Sequence, residues 1–153
     1  MPPAGYFIDA NLLVLLVAGN ENRDLIGRHR ALRRFTADDY DLLRVEAAGI
    51  GRLFVTPNTL TEASNLLGLH SDPERSRLFA RLKLLIDAGD EVIVRSADAS
   101  ANSEYTRLGL TDAALLEVVT ADTPLLTVDM DLYLAALQKD PYAALNFDHL
   151  RDF

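Results

Sequence analysis

Apolar residues along this chain fall into short unbroken runs, and each run is followed by a stretch of helical character. Tyr6-Phe7-Ile8, Leu53-Phe54-Val55, Glu91–Val94 and Leu125–Val128 have the length and the β-branched or aromatic content of buried strands. Ala144–Phe147 reads as a last, edge strand. Asn11–Gly19 predicts a helix closed by Gly19, and Asp24–Phe35 is helical in composition. Thr36 predicts an N-cap for a helix running to about Ala48, where Gly49-Ile50-Gly51 breaks it. Thr56 as N-cap with Pro57 at the first helical position predicts a helix to about Gly68. Ser71-Asp72-Pro73-Glu74 opens another that ends near Ala88. Ser96–Leu108 reads as helical, Thr111 as the cap of a helix to about Thr120, and a further helix spans about Asp131–Gln138. Strands alternate with helices, and the strand runs are continuous rather than alternating in polarity. That combination predicts an α/β fold, a three-layer α/β/α sandwich with a mostly parallel sheet covered on both faces. Its crossovers place the strand C-termini on one common edge.

The length of 153 residues and 49% hydrophobic content predict a single domain, 1–153, around one sizeable core. Cysteine is absent, which excludes disulfides, thiolate zinc sites and a cysteine nucleophile. The apolar run Leu12–Ala18 is too short to cross a bilayer. The residues before it carry Asp9 and no Lys or Arg, unlike a secretory leader. The expectation is a cytoplasmic protein with no membrane partner.

Charge complicates a nucleic-acid partner. The formal net charge is −8, from 23 acids against 15 bases, whereas phosphate binding relies on Lys and Arg. Seven of those bases fall between Asn20 and Arg52, in a segment at about 20–50 expected to be helical. Within it only Arg23, Arg28, Arg30, Arg33 and Arg34 form a locally basic stretch. It reads either as a solvated face or as a contact for phosphate.

Four acids stand where apolar segments meet helices: Asp9, Glu62, Asp112 and Asp129. Asp9 follows the first strand, and Asn11 two residues on can either cap the next helix or hold the carboxylate by a hydrogen bond. Glu62 shares a helical stripe with Asn58, Thr61 and Asn65, opposite Leu60, Ala63 and Leu67. The stripe is either an ordinary solvent face or the wall of a polar cleft. Asp112 sits in a first helical turn, where the helix dipole alone gives it a structural reason. Asp129 ends the last long strand; Thr127 lies on the same side by period-two alternation and can bond it. Asp131 is either a helix cap or a secondary ligand. Gathered on one sheet edge, these carboxylates form a set of hard oxygen donors suited to Mg²⁺ or Mn²⁺. If Asp9, Glu62, Asp112, Asp129 and Asp131 line one site, the rest of the chain carries only −3. His29, His70 and His149 fall in no motif and read as surface or capping residues.

Asp9-Ala10-Asn11 after a strand, Glu62 within a helix, Asp112 at a helix start and Thr127-Val128-Asp129 after a strand resemble the PIN-domain ribonucleases. The VapC-type toxins of bacterial toxin–antitoxin pairs are compact members of that family. Ala144-Leu145-Asn146-Phe147-Asp148 is similar to the closing edge strand of the same fold. The resemblance spans Tyr6 to Phe147 and lies in the order and spacing of short motifs. It implies a metal-dependent endoribonuclease using Mg²⁺ or Mn²⁺, with Asp9, Glu62, Asp112 and Asp129 as the metal-binding acids. It also implies Asn11 and Thr127 as supporters of Asp9 and Asp129, an RNA substrate, an antitoxin protein as partner, and a homodimer. The longer stretch between Asp9 and Glu62 and the negative net charge depart from the compact toxins. A PIN-like scaffold that binds a protein or RNA partner without cutting is the alternative. Asp129-Met130-Asp131 as a phosphatase nucleophile motif is a weaker one, because that chemistry usually starts near the N-terminus.

Overall fold

The computed structural model describes residues 2–151. Its centre is a five-stranded, all-parallel sheet in the order β3-β2-β1-β4-β5. The strands are β1 (Gly5–Ile8), β2 (Arg52–Val55), β3 (Asp90–Glu91), β4 (Leu125–Thr127) and β5 (Ala144–Asn146). Because successive strand residues point to opposite faces, each strand feeds two cores. Ile8, Val55 and Leu126 join the core beneath α1 (Ala10–Glu21), α2 (Ala37–Ile50), α3 (Pro57–Leu67) and α4 (Glu74–Ala88). Phe7 and Leu125 join the opposite core, against α7 (Leu110–Val118) and α8 (Met130–Lys139). The architecture is therefore a three-layer α/β/α sandwich, as the continuous apolar strands imply.

The chain winds outward from β1 to β2 and β3, then returns across β1 to β4 and β5. Strand order thus reverses between β1 and β4. In open α/β sheets the crevice at such a reversal is where ligands bind. Asp9 and Asp129 leave the sheet at this point, one from each strand.

Local chemistry sets several helix starts. Thr36 and Asp39 form a reciprocal capping box at α2, with Asp39 N donating to Thr36 Oγ1 at 3.2 Å and Thr36 N to Asp39 Oδ2 at 2.8 Å. Thr56 caps α3 by accepting from Thr59 N at 3.1 Å, and Pro57 occupies the first helical position. The short helices are α5 (Ser96–Ser100), α6 (Tyr105–Leu108) and α9 (Phe147–Arg151).

Several elements differ from expectation. The Arg-rich stretch is not a helix: it forms two single 3-10 turns, Arg23–Leu25 and Arg30–Leu32, capped by the side chains of Asn22 and His29. Leu25, Ile26, Leu32 and Phe35 are buried there, and the Asn22 and His29 side chains bond backbone amides two residues on, which closes each turn locally. Ser96–Leu108 is split into α5 and α6, because Asn102 Oδ1 accepts from Glu104 N at 2.9 Å and turns the chain. The third strand pairs only at Asp90 and Glu91; Val92 adds one bond to Val55 O, and Ile93 is 77% exposed at the sheet margin. Helix α7 starts at Gly109, not at a Thr111 cap; Gly109 has φ +91°, a conformation that L side chains rarely adopt. Helices α1 and α8 begin with Asp9 and Asp129 as their own caps, so Asn11 and Asp131 lie inside helices rather than at their caps. Phe147 turns out of β5 into α9 and is fully buried.

Candidate active site

Asp9 is the best-anchored acid. It is 6% exposed and accepts three hydrogen bonds. Oδ1 takes Leu12 N at 3.0 Å, which caps α1. Oδ2 takes Val128 N at 3.0 Å and the Thr127 hydroxyl, both from the neighbouring strand exit. One carboxylate therefore ties β1 to β4 across the reversal point. Burial raises its pKa above the usual carboxylate range; the Thr127, Leu12 and Val128 donors pull it down, and Asp129 adds to the rise.

Asp129 caps α8 by accepting from Leu132 N at 3.1 Å, while its own N–H donates to Thr127 Oγ1 at 3.0 Å. Thr127, wholly buried, thus serves both strand-end acids. The expected Thr127 bond to the Asp129 side chain is not formed. The cap draws that carboxylate toward Leu132, and the hydroxyl reaches Asp9 instead.

Glu62 projects from the second turn of α3, exposed at the rim. Asp112 sits in the first turn of α7, partly buried. Asp9, Glu62, Asp112 and Asp129 together line one cleft of about 120 Å³, closed on its apolar side by Ala10, Leu66 and Leu132. The Asp112 carboxyl is pushed up to about 7, first by burial, then by the negative charges of Asp129, Glu62 and Asp9. Asp112 therefore feels the charge of the other three acids, although they come from positions far apart in sequence.

The remaining expected site residues take other places or other partners. Asn11 lines the cleft, but among the described residues its side chain makes no hydrogen bond to Asp9; Thr127 and two backbone amides do that work. Asn58 lines a larger adjoining groove rather than the acid cleft. Asp131 does not line the cleft: its side chain is 72% exposed and lies 3.8 Å from Arg107. Arg23 is paired with Asp41 at 2.7 Å and Arg28 with Glu74 at 3.5 Å. Arg34 reaches the Val128 carbonyl at 3.3 Å and Asp148 at 3.4 Å, while Arg30 and Arg33 are exposed. His29 is not a surface residue. It is 2% exposed, caps a 3-10 turn through Ala31 N, and its ring centroid lies 4.4 Å from that of His70. The contributions missed from sequence are the amides of Leu12 and Val128, which no residue type signals, and Leu66, one turn beyond Glu62 on α3.

Among the described residues no three His, Cys, Asp or Glu side chains already stand around a common point as a ligand set. The donor chemistry nevertheless fits a hard divalent cation. All four groups are carboxylates, and a carboxylate has about four acceptor sites, so Asp9 keeps capacity beyond its three bonds. A cation would also relieve the repulsion that raises Asp112.

Comparison of the chain with protein-family models, with curated proteins and with solved structures finds no match.

Proposed function

We propose that this chain is a Mg²⁺- or Mn²⁺-dependent endoribonuclease of PIN type. The observation that carries the reading is the meeting of Asp9, Glu62, Asp112 and Asp129 in one cleft at the strand-order reversal. Like charges are costly to gather in a partly buried site. Two of them are also fixed by an arrangement, Thr127 between Asp9 and Asp129, that a simple helix cap does not need.

The residues divide the work by position. Asp9 is held rigid by three donors and sets the floor of the site. Asp129 is turned outward on the α8 cap, and Glu62 and Asp112 form the facing wall. These four would hold the cation, which when bound supplies an activated water and offsets charge on the phosphoryl oxygens. Asp112, with its carboxyl pushed up to about 7 by burial and by the neighbouring carboxylates, is a group whose ionisation the cation would favour. Ala10, Leu66 and Leu132 exclude water from one side of the cleft. RNA as substrate, and the toxin role beside an antitoxin, are the finer part of this reading.

The test is incubation of purified protein with single-stranded RNA and Mn²⁺ or Mg²⁺. Cleavage should stop with EDTA and be lost in Asp9→Asn. Either cation should raise the melting temperature of the wild type, and Asp112→Asn should remove that rise. A wild type indifferent to both cations sinks the metal centre, and cleavage surviving in Asp9→Asn sinks the assignment of the activity to this site. Partner binding with no cleavage of any RNA would favour a scaffold.

A further inference from the structure

Beside the acid cleft lies a second, larger groove of about 440 Å³, within the size range of small-ligand pockets. Glu62 lines both, so the two spaces adjoin. One wall is the α3 stripe Asn58, Thr61, Glu62 and Asn65, at helical spacings of three and four. The far side carries Ile93, 77% exposed, and Thr111, the neighbour of Asp112.

Three features define what this groove can take. Among the described residues, the side-chain amides of Asn58 and Asn65 make no hydrogen bond within the protein, so their donors and acceptors are free for a ligand. Each amide offers a donor beside an acceptor, which matches the edge of a nucleobase and not the acceptor-only surface of a phosphate. Among the described residues Glu62 is the one charged group lining the groove, and it would repel a phosphate there. Ile93 adds an exposed apolar surface suited to the flat face of a base.

Resting on the ribonuclease reading above, we infer that this groove is a base-recognition subsite. It takes the unpaired nucleobase next to the scissile phosphate and reads its edge through Asn58 and Asn65. The strand must be single there, because a paired base hides its hydrogen-bonding edge. Recognition is by neutral groups, so base preference should be insensitive to salt even where overall affinity is not.

The experiment uses four single-stranded RNA oligomers that differ at one central base, cleaved in Mn²⁺ at low and at moderate salt. The ratio of kcat/KM between the best and worst base is measured for wild type, Asn58→Ala, Asn65→Ala and Thr61→Val. Wild type should discriminate on the order of tenfold, the size expected of one two-pronged amide contact. The ratio should collapse toward one in the two Asn variants, hold between the two salt concentrations, and change less in Thr61→Val. Retention of the Mn²⁺-induced rise in melting temperature verifies that each variant is folded with its acid cleft intact. Cleavage of all four oligomers equally by the wild type, or unaltered preference in both Asn variants, overturns the subsite while leaving the ribonuclease standing. No cleavage of any oligomer by the wild type overturns both.

Discussion

Thr127→Val isolates the contact on which the site's geometry depends. Valine keeps the shape and β-branching of threonine in a wholly buried position, so packing is nearly preserved and the hydroxyl alone is lost. That hydroxyl donates to Asp9 and accepts from Asp129 N at 3.0 Å. A hydrogen bond to a charged group contributes about 1.5–3 kcal/mol, and a stranded backbone N–H costs about 1 kcal/mol or more. The variant should therefore lose about 3 kcal/mol. For a domain of this size that corresponds to a fall in Tm of about 6–12 °C. A second consequence concerns the proposed cation. Loss of a group that orients a ligand weakens metal binding about 10- to 100-fold. At a Mn²⁺ concentration giving the wild type about 2.7 kcal/mol of stabilisation, the variant should gain only about 0.4–1.4 kcal/mol. The assay is thermal and urea denaturation of wild type, Thr127→Val, Asp9→Asn and the double variant, each with EDTA and with Mn²⁺. Residues in direct contact couple by about 0.5–3 kcal/mol. Additive losses in this cycle, or a full Mn²⁺ response in Thr127→Val, would falsify the role assigned to the hydroxyl.

His29 supplies a pH test away from the acid cleft. Burial, and then the charge of His70, lower its pKa from 6.5 to about 4; the same corner holds Glu74, 3.3 Å from the His70 ring nitrogen, and Arg28, paired with Glu74. Below pH 6.5 the unfolded chain takes up a proton that the folded chain refuses until about pH 4, so the stability His29 contributes is present at neutral pH and falls across that window, while Asp112, raised to about 7, contributes with the opposite sign. The loss should be about 3 kcal/mol at 1.36 kcal/mol per unit. His29→Asn, whose Oδ1 can still accept from Ala31 N, removes this contribution, so the urea-denaturation stability of wild type relative to the variant should fall by about 2–3 kcal/mol from pH 7 to 4.5; parallel curves would refute it. Asp131→Asn should leave the Mn²⁺ response unchanged and alter stability by less than about 0.5 kcal/mol, since the side chain is 72% exposed and outside the cleft. A lost response would restore Asp131 as a ligand. Gly109→Ala should cost about 1–3 kcal/mol at φ +91° and weaken Mn²⁺ stabilisation, because Gly109 sets the start of the helix that carries Asp112. An alanine variant with wild-type Tm would show that the turn relaxes freely.

Local signals were legible where a few neighbouring residues decide the outcome. The continuous apolar strands Tyr6-Phe7-Ile8 and Leu53-Phe54-Val55, the Thr36 and Thr56 caps and the Pro57 start all act within about one turn of chain, and the structure follows them. Signals failed where distant contacts outweighed propensity. The Arg-rich stretch has helical composition, yet Leu25, Ile26, Leu32 and Phe35 are drawn into the α1–α4 core and hold it in 3-10 turns. The Val92-Ile93-Val94 run has strand composition, but it lies at the sheet margin where only Val92 finds a further backbone partner.

For the site, strand period and capping are local signals, so the order of residues alone marks which carboxylates leave strands or open helices. Asp9 and Asp129 were readable as strand-end acids for that reason. Their meeting depends on long-range packing. Asp9 and Thr127 stand 118 residues apart, and their bond exists because strand order reverses between β1 and β4. The same long-range packing brought Glu62 and Asp112 to the cleft and left Asp131 in solvent beside Arg107. It gave Thr127, not Asn11, the task of holding Asp9, since a side chain inside α1 follows its helix while one on β4 faces the neighbouring strand exit.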